Sequence, residues 1–106
     1  MELRVEIVRF VQEHWPSIVE WTFVDAGGRT HTFTGKDAVC SEANLDARST
    51  YPQPGGMRCI AISSWRDNNG RELVRVSTAQ PDDLNSMEEL TEFVVLQDQI
   101  SPWSGG

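Results

Sequence analysis

The feature that most limits what this chain can become is a two-residue period in its apolar side chains. Leu3, Val5 and Ile7 alternate with Glu2, Arg4 and Glu6, and Val19, Trp21 and Phe23 alternate with Glu20 and Thr22. Successive side chains of a strand point to opposite faces, so each such segment gains one face for a core and one for water. Strands are expected over residues 2–12 and 17–25. A helical face through Leu3, Ile7, Phe10 and Val11 also fits the first segment, but the alternation favours a strand. His14-Trp15-Pro16 ends it, because proline removes a ladder donor and biases its predecessor toward extended geometry.

Two further stretches repeat one turn grammar. Asp25-Ala26-Gly27-Gly28-Arg29 leads into Thr30-His31-Thr32-Phe33-Thr34, and Asp67-Asn68-Asn69-Gly70-Arg71 separates Met57 to Trp65 from Leu73 to Val76. Both read Asp-x-x-Gly-Arg. An aspartate at the first position can accept nearby backbone N–H bonds, and glycine at the fourth adopts a left-handed conformation without penalty. Two hairpins with related turns follow. A last strand is expected near Thr91 to Leu96, preceded by a short helical turn around Met87-Glu88-Glu89-Leu90 capped by Asp83 or Ser86.

At 106 residues the chain is sized for one domain with a single core. About six short strands with at most one short helix predict a mainly β fold, a small antiparallel β-barrel or rolled sheet, in which closure removes exposed strand edges. Residues 36–56, ending in Tyr51-Pro52-Gln53-Pro54-Gly55-Gly56, show no sustained period and read as a long loop, the first place to seek a site. Residues 98–106 read as a loosely held tail unless Trp103 docks.

Charge narrows the function classes. The net charge is −7, and all nine Lys and Arg precede residue 79, after which Asp82, Asp83, Glu88, Glu89, Glu92 and Asp98 stand without a base. Nucleic-acid binding rests on a basic footprint and is disfavoured. No apolar run approaches the ~18 residues of a membrane span, and the start of the chain lacks the pattern of a secretory signal, so a cytoplasmic setting is the expectation. In that setting Cys40 and Cys59 are expected to be buried thiols.

No catalytic set is assembled by the sequence. Cys40, Cys59, His14 and His31 are the right types for zinc, but they lack the paired spacings of a metal motif, and neither metal nor cofactor is expected. An enzyme site under the 36–56 loop would use His31 with Asp37, Cys40 or Tyr51. A single-stranded nucleic-acid face would need Arg58, Arg66, Arg71 and Arg75. The leading expectation is a non-catalytic module that docks another protein, one carrying basic charge, through an acidic C-terminal surface of Asp82, Asp83, Glu88 and Glu89. Tyr51 and Trp65 are its candidate aromatic anchors.

The strings Trp21 to Phe33, Thr50-Tyr51-Pro52-Gln53-Pro54-Gly55 and Gly70-Arg71-Glu72-Leu73-Val74-Arg75-Val76 resemble a group of short uncharacterised bacterial proteins across residues 19–97. That resemblance implies no activity and transfers no site residue. The hairpin pattern is also similar to the small β-barrels of translation factors, an analogy of fold alone.

Overall fold

A computed structural model of the chain describes residues 1–12, 17–41 and 48–102. Eight strands run in the order β1 (Glu2–Gln12), β2 (Ile18–Val24), β3 (Thr30–Lys36), β4 (Gln53–Arg58), β5 (Ile60–Arg66), β6 (Glu72–Ser77), β7 (Glu92–Leu96) and β8 (Ile100–Ser101). One helical turn, α1 (Asp37–Cys40), follows β3, and a 3-10 turn at Gln97–Gln99 precedes β8. The fold is mainly β and every described pairing is antiparallel.

The strands form two sheets. The first has the order β3-β2-β1-β4, and the second is β5-β6-β7. β1 organises the first sheet: Glu2 to Ile7 pair with β4, while Glu6 to Gln12 pair with β2. β8 pairs with Glu2 and Leu3, so it takes the length of that second edge which β2 leaves unoccupied. The alternation read from the sequence decides what is buried. Leu3, Val5, Ile7, Val19, Trp21, Phe23, Phe33 and Met57 from the first sheet meet Val74, Val76, Phe93 and Val95 from the second in one core.

Three expectations are corrected. The fold expected was a small barrel or rolled sheet of about six strands; the described residues form eight strands in two sheets around one core, and no strand of one sheet pairs with a strand of the other, so no closed barrel forms. The strand expected from Met57 to Trp65 is two strands, because the chain turns between the sheets at Cys59. That residue is buried, and its N–H donates to the Met1 carbonyl at 2.9 Å. The long loop expected over residues 36–56 is shortened at both ends, by α1 and by β4 starting at Gln53.

Proline and glycine disguised β4. It lies at the edge of its sheet, where Pro54 withholds no needed ladder donor. Gly55 admits the Cys40 carbonyl, which would stand 2.6 Å from a Cβ at that position. The helical turn expected at 87–90 is absent. The Ser86 hydroxyl instead accepts from the Leu90 N–H, the Ser86 carbonyl accepts from the Glu89 N–H, and Glu89 sits left-handed at φ 64°. In the expected loose tail of residues 98–106, residues 98–101 lie in the 3-10 turn and β8. His14, Trp15 and Trp103 lie outside the described residues.

The two Asp-x-x-Gly-Arg turns close alike. In each, the aspartate N–H donates to the arginine carbonyl, at 2.9 Å for Asp25 and 3.0 Å for Asp67. The glycine N–H returns to the aspartate carbonyl, with Gly28 at φ 86° and Gly70 at φ 81°. The turns also touch, since Arg71 Nη1 donates to the Ala26 carbonyl at 3.0 Å.

Candidate functional site

The residues proposed for an enzyme are not brought together. His31 stands at the turn end of β3, whereas α1, with Asp37 and Cys40, follows the opposite end. At about 3.3 Å per residue the strand between them spans roughly 17 Å. Tyr51 belongs to that far end too, because it precedes Gln53, whose register partner is Ile7, and the pairing continues through Trp21 to Phe33. Tyr51 is half-buried against the core.

His31 has a different set of neighbours. It is 4 % exposed, with the Phe23 ring 5.3 Å and the Phe93 ring 4.7 Å away, and its Nε2 lies 2.7 Å from Asp25 Oδ2. A carboxylate only accepts, so Nε2 carries the donated proton. Nδ1 is buried with no hydrogen-bond partner. Asp25 Oδ1 also accepts from the Gly27 and Arg29 amides at 2.9 and 3.0 Å. Partial burial by itself raises the Asp25 carboxyl, but the His31, Arg29 and Gly27 bonds outweigh it and hold the group below the usual carboxylate range. The pair locks the first hairpin turn. Sequence alternation placed His31 on the face of Phe33 but gave no sign that the turn aspartate would reach back to it.

Cys40 and Cys59 are both buried thiols. Burial pushes the Cys59 thiol up, away from the thiolate a nucleophile requires. Among the described residues no three of His, Cys, Asp and Glu gather into a metal-binding group. No helix among them is long and apolar enough to cross a membrane.

The acidic candidates are largely engaged within the chain. Asp82 receives both Nε and Nη2 of Arg58, Glu88 pairs with Arg29, and Glu92 pairs with Arg75 at 3.7 Å. Asp83 and Glu89 are exposed and make no ion pair among the described residues. The arginines of the proposed nucleic-acid face are engaged as well: Arg58 by Asp82, Arg66 by Glu72 at 2.9 Å, Arg71 by Asp67 at 2.8 Å, and Arg75 by Glu92. Each guanidinium that would meet a phosphate already faces a carboxylate.

The remaining candidate, Trp65, marks the least ordinary surface of the molecule. It lies on β5, where every residue from Ile60 to Arg66 is exposed. Ile60 is 47 % exposed, Ile62 51 % and Trp65 40 %. β5 pairs with β6 along one edge, with a bulge between Ala61 and Ser63, and no described strand or backbone hydrogen bond occupies its other edge.

Two other edges are met by backbone from elsewhere: the Met87 N–H donates to the Thr32 carbonyl on β3, and the Ala26 N–H to the Val94 carbonyl on β7. The Cys40 carbonyl of α1 lies over the inward face of Gly55 on β4, beside Ile7. An edge strand with unpaired N–H and C=O groups and apolar side chains is a template for another strand. Sequence reading singled out Trp65 as an aromatic beside a turn but could not see that β5 would be an edge, since edge position is a property of the sheet order.

Comparison with known proteins adds no relative from which a function could be transferred: no family model matches the chain, and no curated protein and no solved structure matches it.

Proposed function

We propose that this protein is a non-catalytic protein-interaction module that takes up an extended segment along the free edge of β5. The observation that supports the reading is the conjunction, on one strand, of an unoccupied backbone edge with exposed Ile60, Ile62 and Trp65. In strand addition, main-chain hydrogen bonds supply affinity and alternate side chains supply selectivity. Trp65 is the natural anchor, an exposed aromatic opposite the buried Leu73 in the β5–β6 register. The acidic surface of the C-terminal part has a lesser role, because Asp82, Glu88 and Glu92 already answer arginines of the same chain.

A displayed library of random peptides panned against the intact chain tests this. The expected result is enrichment of β-favouring segments whose binding falls at least about tenfold in Trp65→Ala and in Ile62→Lys. No enrichment, or enrichment that both variants leave unchanged, defeats the reading.

A further inference from the structure

We infer that the segment seated on β5 is β5 of a second copy of this chain, the two strands running antiparallel across a two-fold axis so that the β5-β6-β7 sheet continues into its counterpart. This rests on the reading of β5 as the docking edge and goes beyond it by naming the occupant.

Two molecules of net charge −7 repel, so a self-association surface must keep acid away from the contact. β5 contains no Asp or Glu, and its one charged residue, Arg66, is paired with Glu72. Beyond its two ends Asp67 is matched by Arg71 and Asp82 by Arg58, while Glu2, opposite Arg58 in the β1–β4 register, makes no ion pair among the described residues. The edge is therefore electrically quiet on a strongly acidic molecule. A basic partner would find nothing on it to attract it, whereas a second copy needs only the absence of repulsion.

The sequence of the strand suits antiparallel self-pairing. An axis near Ser63 and Ser64 puts small side chains at the crossing and brings each Trp65 beside the Ile60 to Ile62 stretch of the other copy. The two Arg66 side chains then fall at opposite ends. With the axis at Ser63 they are separated by about 20 Å along the strands, well beyond a screening length of about 8 Å at physiological ionic strength. The bulge between Ala61 and Ser63 keeps the pairing short. A seven-residue edge buries less than the ~800 Å² per partner of a standard interface, which sets dissociation in the micromolar range or weaker.

Sedimentation equilibrium of the intact chain, from micromolar to millimolar concentration and at low and high sodium chloride, decides the matter. A reversible dimer is expected, tightening at least about threefold as salt screens the like net charges. Ile62→Lys is expected to weaken it at least about tenfold, while Met87→Lys, on the loop that bonds to β3, leaves it unchanged. Ser63→Lys serves if Ile62→Lys alters the circular dichroism spectrum, since both positions are exposed.

A monomer at every concentration, or a dimer untouched by lysine on β5, overturns the inference. A monomer that still selects peptides through β5 overturns the second copy alone, and a chain that neither self-associates nor selects peptides overturns both readings.

Discussion

Replacing Asp25 by alanine removes one carboxylate that holds three donors: the Gly27 amide, the Arg29 amide and the buried Nε2–H of His31. The amides stand beside solvent and can rebind water, so their loss is partial. His31 cannot do so. It is 4 % exposed, its Nδ1 already lacks a partner, and the substitution leaves both ring nitrogens unsatisfied between Phe23 and Phe93. An orphaned buried donor costs about 1–3 kcal/mol, and the charged hydrogen bonds of the turn contribute about 1.5–3 kcal/mol more. Asp25→Ala should therefore destabilise by about 3–5 kcal/mol, a large fraction of the 5–15 kcal/mol typical of a domain.

The double variant isolates the part played by the histidine. His31→Phe places an apolar ring of similar shape among aromatic neighbours and removes the unsatisfied nitrogens, so Asp25→Ala combined with His31→Phe should recover at least about 1 kcal/mol relative to Asp25→Ala alone. Urea unfolding followed by tryptophan fluorescence measures this. With a slope of about 2 kcal/mol per molar, the single variant should lower the midpoint by about 1.5–2.5 M. A loss below about 1 kcal/mol for Asp25→Ala, or strict additivity in the cycle, would refute the claim that the carboxylate matters because of the histidine behind it.

Three other outcomes are expected. Asp25 and Asp67 both titrate below the usual carboxylate range in the folded chain, Asp25 for the reasons given and Asp67 chiefly through the backbone and side chain of Arg71. Their contribution is complete above the unfolded value near 3.9 and lost as pH falls through the lower folded values, so the acid limb of a stability–pH curve should be shallower in Asp25→Asn. Gly55→Ala drives a methyl against the Cys40 carbonyl and the Ile7 side chain, and should cost about 1–3 kcal/mol by chemical denaturation. Glu89→Gly relieves a left-handed glutamate in a turn and should stabilise by about 0.5–1 kcal/mol in the same assay.

What was legible in the sequence was whatever depends on near neighbours. β1 begins where its alternation does and ends ahead of His14-Trp15-Pro16, and both Asp-x-x-Gly-Arg turns close as their residue types require, because a turn is decided by five residues in a row. The inward faces of β1 and β2 were equally readable. What stayed hidden depends on residues far apart in the chain. Pro54, Gly55 and Gly56 look like loop until β1 is laid beside them, and Ala61 follows Met57 and Cys59 in alternation yet is exposed, because the chain passes from one sheet to the other at Cys59. The candidate site suffered most from this. Asp82 and Glu88 read as open acid only while Arg58 and Arg29, 24 and 59 residues away, are out of view.

β1 receives its neighbours at very different moments of synthesis. β2 is in reach as soon as the first hairpin of the sheet has been made, β4 only after residue 58, and β8 only once residue 101 has emerged. Until then a ribosome-bound chain holds Glu2 and Leu3 with one flank bare, and that rung of the sheet waits for residues 100–101. Closing so wide a loop comes at an entropic disadvantage that local hairpins escape. In hydrogen exchange, the amides shared by β1 and β8 should thus open before those shared by β1 and β2.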